Sequence, residues 1–459
     1  MTEQTPSVPS TIPSTRVEQT DTPELWASLQ RPLPDWYAGA RFGIFIHWGA
    51  YSVPAWAEPS GALGLVPEDV WFAHNAYAEW YFNTIRIAGS PAQQRHQELY
   101  GGAPYDDFLD AWSAADFDPA DWARLFASAG AEYVIPTTKH HDGIALWDAP
   151  GTGARNTVHR GPKRDLIADI ADAVRAEGLR FGVYYSGGLD WSTSVFPPHT
   201  KFDEVSGLRP RDAAYNLYAL RHVQDLVHRY SPSVLWNDIE WPDAGKRGGP
   251  DSLHALFEEY YAAVPDGVVN DRWGDTHHDF ATSEYEYHLD SEDSGAWENT
   301  RGIGFSFGYN QAEDESQSLD ANGIAKHLTD VVSRGGRLLL DVGPTAEGTI
   351  PGVQRRALEG LARWMGEAAP VLRSSSPAPA GLVQPSQTGW VRWLATPGHL
   401  VAAVDGGTGV DLGVGADAVD VDGLRVLNGS AELRQDGGRL TAEVTPTTDG
   451  PALLVLPTR

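Results

Sequence analysis

Three features of the 459-residue sequence predict an α/β chain, a (β/α)8 TIM-like barrel followed by a C-terminal antiparallel β-sandwich. Short apolar runs alternate repeatedly with segments of helical periodicity, the pattern of a parallel sheet covered by helices. The alternation persists over some 350 residues, which favours a closed barrel over an open sheet. After a Ser/Pro-rich break at Ser374-Ser375-Ser376-Pro377-Ala378-Pro379, the pattern changes to short strands between Gly/Asp turns.

The elements follow in order. Met1 to Thr22 is rich in Thr, Ser, Pro and Gln and is expected to be a disordered tail. The barrel is expected over residues 23–370. Its first strand is Phe42-Gly43-Ile44-Phe45-Ile46, which runs into His47-Trp48-Gly49. Asp118-Pro119 predicts a helix start, with a capping Asp before Pro at the first helical position. Trp122, Leu125, Phe126 and Ala129 keep helical spacing until Gly130, and Tyr133 to Thr138 follows as a strand ending at Lys139-His140-His141. A helix carrying Leu166, Ile170 and Val174 precedes the strand Phe181 to Tyr185. One from about Ala213 to Tyr230 precedes Val234-Leu235-Trp236-Asn237-Asp238. Leu253 to Val264 precedes Val268 to Arg272, and Ile324 to Ser333 precedes Leu338 to Pro344. A last helix is expected from Val353 to Gly366. In the sandwich, expected over 371–459, strands are predicted at Trp390–Leu394, Leu400–Val404 and Ala452–Leu456.

Composition narrows the function. With 34 basic and 62 acidic residues the formal charge is −28, which repels phosphate backbones and anionic lipid surfaces, so neither nucleic acid nor a membrane is an expected partner. No cysteine is present, which removes disulfides, thiolate metal sites and a Cys nucleophile. The leading residues lack an apolar signal core and no run is long enough to span a bilayer, so a cytoplasmic location is expected. The 17 Trp, 17 Tyr and 14 Phe suit either large cores or sugar binding, because flat rings pack on the C–H faces of sugars.

His47, His140, His141, Tyr184, Asp238, Arg272 and Glu284 all fall at or just past the C-terminal ends of predicted strands, the rim on which barrel active sites form. Two carboxylates flanking a glycosidic bond would serve its hydrolysis, one as nucleophile or base and the other as acid. Asp238 is the candidate for the first role. Glu284 and Glu298 are candidates for the second, with Glu286 close by, and Arg272 would keep a neighbouring carboxylate ionised. A Zn²⁺ site for amide or ester hydrolysis is a rival reading of the His cluster, although the first strand ends in one His and not a His-x-His pair. A catalytically silent carbohydrate-binding protein is the non-enzymatic alternative.

The segments Arg41-Phe42-Gly43-Ile44-Phe45-Ile46-His47-Trp48-Gly49, Glu79-Trp80-Tyr81, Thr138-Lys139-His140-His141-Asp142-Gly143, Gly182-Val183-Tyr184-Tyr185-Ser186, Leu235-Trp236-Asn237-Asp238, Asn270-Asp271-Arg272-Trp273 and Gly304 to Asn310 resemble, in order, the motifs of the α-L-fucosidases of glycoside hydrolase family 29. The resemblance covers Trp36 to Gly366, and the sandwich weakly. It implies a retaining exo-α-L-fucosidase acting on fucosylated oligosaccharides or glycoconjugates by double displacement through a covalent fucosyl-enzyme, with no cofactor and no metal. It makes Asp238 the nucleophile and Glu284 the acid/base. His47, Glu79, Trp80, His140, His141, Tyr184, Trp236, Arg272 and Phe307 would form the fucose pocket. The loops Val53–Phe72 and Asp190–Asp212 are expected to govern linkage preference. The sequence is compatible with a homo-oligomer.

Overall fold

The computed structural model describes residues 23–459 apart from 63, 194, 287–288 and 290–294; the expected N-terminal tail lies outside these residues. Nine parallel strands form the first sheet: β1 (Phe42–Ile46), β2 (Tyr133–Lys139), β3 (Arg180–Phe181), β4 (Val183–Ser186), β5 (Val234–Asp238), β6 (Val268–Val269), β7 (Ala281–Glu284), β8 (Trp297–Gly302) and β9 (Arg337–Val342). Their order is β6-β5-β4-β2-β1-β9-β8-β7, and β3 pairs with β2 below β4, so β3 and β4 are two pieces of one stave. A parallel bridge between Asn270 and Phe280 joins the two ends of this order. The result is a closed (β/α)8 barrel of eight staves.

Alternation along the staves sorts the side chains. Phe45, Tyr133, Ile135, Tyr184, Val234, Trp236, Val268, Phe280 and Leu339 fill the lumen. Their sequence neighbours Ile44, Ile46, Val134, Val183, Leu235, Leu338 and Leu340 face the surrounding helices. Successive side chains of a strand point to opposite faces, so an apolar run buried on both sides reads as continuous in sequence. Gly43 is the lumen position of β1 level with Tyr133. A Cβ there would lie 2.4 Å from the Tyr133 ring, so the tyrosine fills the space that glycine leaves.

The helices that the sequence predicts begin close to their expected starts. Asp118 accepts from Ala120 N and Asp121 N to cap Pro119–Ser128, and Asp212 caps Ala213–Tyr230 in the same way. Two expectations are corrected. The strand expected over Val268 to Arg272 is only two residues long, because Asn270 turns its amide to Asn237, accepting from Asn237 N at 2.9 Å. The helix expected to stop at Gly366 runs over Gly352–Ser374 and passes through Pro370, since Ala368, Ala369, Val371 and Leu372 anchor its last turns in the core.

The remaining chain forms two antiparallel sheets. One has β10 (Ser376–Pro377), β11 (Val391–Thr396), β12 (His399–Val404), β14 (Arg425–Leu427) and β17 (Ala452–Pro457); the other has β13 (Gly407–Gly415), β15 (Gly429–Asp436) and β16 (Arg439–Pro446). Leu400, Ala402, Leu454 and Leu456 meet Val410, Leu412, Leu440 and Ala442 between the sheets. This is the β-sandwich. The opposite face of its larger sheet, with Leu394, Val401, Ala403, Leu453 and Val455, belongs to the barrel's outer core. No described helix is long and apolar enough to cross a membrane.

Candidate active site

The C-terminal ends of the staves converge on Asp238. It is the last residue of β5 and is nearly buried, at 8% exposure. Its Oδ1 accepts from Arg272 Nη1 at 3.1 Å and from the backbone N–H of Ile239 at 2.9 Å, and its Oδ2 accepts from the Tyr184 hydroxyl at 2.9 Å. Burial alone would push this carboxyl up. The Arg272 guanidinium and the Tyr184 hydrogen bond outweigh burial and hold it below the usual carboxylate range. The group is an anion fixed in position and aimed into the rim.

The backbone just past Asp238 is unusual. Ile239 and Glu240 have φ of 55° and 67°, a left-handed conformation that costs a β-branched residue such as isoleucine on the order of 1–3 kcal/mol. Neighbouring bonds hold it there. Asn237 Nδ2 donates to the carbonyls of Glu240 and Arg272, both at 2.7 Å, and the Glu240 carboxylate accepts from Arg209 Nη2 and Lys246 Nζ, also at 2.7 Å. The strained turn directly follows Asp238 at the end of β5.

Arg272 connects two carboxylates. While Nη1 binds Asp238, Nη2 donates to Glu284 Oε2 at 2.9 Å and Nε donates to Thr282 Oγ1 at 3.0 Å; the guanidinium also lies 4.7 Å from the Trp236 ring. Glu284 ends β7 with its side chain 23% exposed, so it stands at the mouth of the site and Asp238 stands deeper.

The histidines line one wall. Burial drives both His47 and His141 down to about 3, so both are neutral near pH 7. Ser186 Oγ donates to the Leu189 carbonyl at 2.7 Å and therefore accepts from His141 Nδ1 at 2.6 Å. That tautomer leaves His141 Nε2 as a lone-pair acceptor, 3.7 Å from Asp238 Oδ2, too far for a hydrogen bond and with no cationic partner to make it an ion pair. His47 Nδ1 is seated 2.6 Å from Asp341 Oδ1. His140 stacks on Tyr184 with ring centroids 5.6 Å apart, and its buried Nδ1 has no partner.

Aromatic rings complete the enclosure. Trp80 stands 5.4 Å from His141, and Phe307 stands 5.0 Å from His47. Glu79 accepts from Gly308 N at 2.8 Å and Ser306 Oγ at 3.2 Å, which ties it to the loop carrying Phe307. Burial pushes its carboxyl up to about 7. Tyr184 and Trp236 stack at 5.6 Å and, with Phe45, close the floor. Asp238, Glu284, His47, Glu79, Trp80, His140, His141, Tyr184, Trp236, Arg272 and Phe307 thus form one contiguous network.

Glu298 stands apart from it. The residue is fully buried at the start of β8, where Oε1 accepts from Trp236 Nε1 at 3.0 Å and Oε2 accepts from Tyr37 and Tyr133 hydroxyls at 3.1 and 2.5 Å. It lies in the lumen beneath Trp236 and faces no open space. Glu286 is turned outward, 74% exposed, and paired with Arg301. The sequence reading also passed over residues that shape the site. Asp341 is an acid closing an otherwise apolar strand, the same signal that marked Asp238. Trp191, 5.3 Å from both Trp80 and His141, lies in a loop with no periodicity to reveal it. Among the described residues, no three His, Asp or Glu side chains are grouped to hold a metal ion.

A family model described as Alpha-L-fucosidase matches residues 11–369 of this chain. An alpha-L-fucosidase of Dictyostelium discoideum is 33% identical over 356 residues, covering 76% of this chain and 73% of that protein. The tissue alpha-L-fucosidase of Homo sapiens is 32% identical over 390 residues, covering 83% and 77%. A Thermotoga maritima alpha-fucosidase solved in complex with fucose is 41% identical with a TM-score of 0.81, over 94% of this chain and 99% of that one. An alpha-L-fucosynthase from the same organism is 42% identical with a TM-score of 0.84, over 94% and 98%.

Proposed function

This chain belongs to the α-L-fucosidase family and is a retaining exo-α-L-fucosidase, and from that premise we propose that Asp238 is its nucleophile and Glu284 its acid/base. The observation that carries the assignment is the pair of hydrogen bonds from Arg272, one to each carboxylate, at the ends of two staves. A nucleophile must be ionised and rigid, and the depressed, triply hydrogen-bonded Asp238 meets both needs. An acid must reach the departing oxygen, which leaves toward the mouth, where Glu284 stands.

In the first step Asp238 attacks the anomeric carbon while Glu284 gives its proton to the leaving oxygen, and the aglycone departs as an alcohol. In the second step Glu284 takes a proton from water as the water oxygen displaces Asp238, releasing α-L-fucose with its configuration retained. The two carboxyls should stand about 5–5.5 Å apart around bound substrate, the spacing of retaining enzymes. Neutral His47, His140 and His141, with Glu79 and Arg272, supply hydrogen bonds to the ring hydroxyls; Trp80, Trp236 and Phe307 supply apolar surface for the C5-methyl group. The chemistry of the family supports fucosylated oligosaccharides or glycoconjugates as substrates.

Two measurements test the assignment. Proton NMR at early times should show α-L-fucose first, and β-L-fucose as the initial product would refute retention. Asp238→Asn should abolish turnover of an aryl α-L-fucoside. Glu284→Ala should cut kcat/KM for unactivated fucosides by about 10²–10⁴-fold, the usual contribution of a general acid, and cut kcat/KM far less for a nitrophenyl leaving group that needs no proton. Equal losses on both substrates would remove Glu284 from the acid role.

A further inference from the structure

The loop between Gly302 and Gln311 carries Phe307 into the pocket without any regular secondary structure, so its shape must be imposed from outside its own backbone. Glu313 supplies most of the restraint. Its Oε2 accepts from Phe305 N at 3.1 Å, its Oε1 accepts from Ser306 N at 2.9 Å, and Asn310 Nδ2 donates to Oε1 at 3.4 Å. The carboxylate thus closes a ring around the segment that presents Phe307. The approach is so close that a Cβ on Gly304 would lie 1.8 Å from Glu313 Oε2, so a side chain there would displace the carboxylate. From the other side the loop is tied to the sugar site: Ser306 Oγ and Gly308 N donate to Glu79, and the Phe305 carbonyl accepts from the Tyr285 hydroxyl at 2.5 Å. Tyr285 and Tyr77 both stand 5.5 Å from the Phe307 ring and complete its socket. Among the described residues, every hydrogen bond made by the Glu313 side chain goes to this loop, and none goes to Asp238, Arg272 or Glu284.

We propose that Glu313 is a positioning residue of this enzyme, holding residues 305–306 by paired carboxylate hydrogen bonds so that Phe307 keeps its place against the bound sugar. It touches no reacting atom and acts through Phe307. The proposal rests on the assignment of Phe307 to the fucose pocket. Two acceptor oxygens are required for the role, because both face N–H donors; burial pushes the Glu313 carboxyl up to about 8, and these donors oppose that shift. An amide of the same size keeps one acceptor and turns an NH₂ group toward the other donor, so Glu313→Gln should behave much like Glu313→Ala.

A double-mutant cycle in the full chain tests this, with KM and kcat measured on an aryl α-L-fucoside. Glu313→Gln and Glu313→Ala should each raise KM about tenfold or more and lower kcat less than threefold. In a Phe307→Ala background the same substitutions should change KM less than threefold, because the ring they position is gone. Tenfold effects in both backgrounds would show that Glu313 acts independently of Phe307 and overturn the proposal, as would an unchanged KM in the single variants. Glu313→Gln preserves side-chain volume and serves the cycle if Glu313→Ala does not fold. A Phe307→Ala variant with unaltered KM and kcat would instead sink the assignment of Phe307 to the pocket, a different outcome from a normal Phe307 effect with no Glu313 effect.

Discussion

Asp238 keeps its charge in a nearly buried position because three donors, from Arg272, Tyr184 and Ile239, converge on its two oxygens. Its folded pKa is depressed, so the stability it contributes is present above the carboxylate's ordinary value and is lost as pH falls through the lowered one. With Asp238 as the proposed nucleophile, activity follows the same sign, since a carboxylate attacks only when ionised. Arg272→Gln removes the principal opposing charge and leaves burial in command. The acid limb of kcat/KM should therefore move to higher pH, and kcat/KM at its plateau should fall about 10- to 100-fold, the range expected for losing a hydrogen bond to a charged group. An acid limb unmoved by Arg272→Gln would mean that Asp238 does not set it. His47 and His141 contribute no limb near neutrality, as both are already neutral well below it.

A stave of the barrel must satisfy the lumen and the helices at once, and β1 shows how narrow the tolerance is. Gly43 stands level with Tyr133, and the Tyr133 hydroxyl donates to Glu298, which also receives the Trp236 indole. Gly43→Ala would drive a methyl into the Tyr133 ring and disturb that whole layer. It should destabilise the fold by about 1–3 kcal/mol, read as a lower urea midpoint at unchanged m-value; an unchanged midpoint would show that the ring has room to move. Elements of this kind explain what could be read from the sequence. Apolar runs such as Val234–Trp236, buried on both faces, announce their own limits, and so do helices begun by Asp118 or Asp212. Polar residues ending those runs, like His47 and Asp238, are visible for the same reason. Glu298 was misleading because its partners, Tyr37, Tyr133 and Trp236, come from distant stretches and meet only after closure. Glu313 and Trp191 sit in loops whose geometry depends on contacts across the rim. β6 stops after two residues because Asn270 forms a side-chain contact that no local pattern predicts.

At the scale of the whole molecule, the sandwich is joined to the barrel through apolar surface as well as polar bonds. Leu394, Val401, Ala403, Leu453 and Val455 share a buried cluster with barrel helices, Trp364 Nε1 donates to the Pro451 carbonyl at 2.9 Å, and Asn428 Nδ2 donates to the Trp364 carbonyl at 3.0 Å. Arg392 is paired with Asp330 and Lys326 with Asp405 across the same seam. Scanning calorimetry should therefore give one cooperative transition, and a chain ending at residue 375 should bind a hydrophobic dye or precipitate. Two resolved transitions would show that the modules fold independently. A last consequence follows from the layer of Phe45, Tyr184 and Trp236 under the nucleophile. These packed rings close the lumen side of Asp238, so among the described residues the approach to it runs over the rim. The departing alcohol must step out before water can step in, and both pass Glu284 on the way. An alcohol slow to leave, or one supplied in excess, occupies the place of the water and can receive the fucosyl group in its stead. In the proposed mechanism, hydrolysis and transfer then differ in which molecule, water or alcohol, stands beside Glu284 when the bond to Asp238 is displaced.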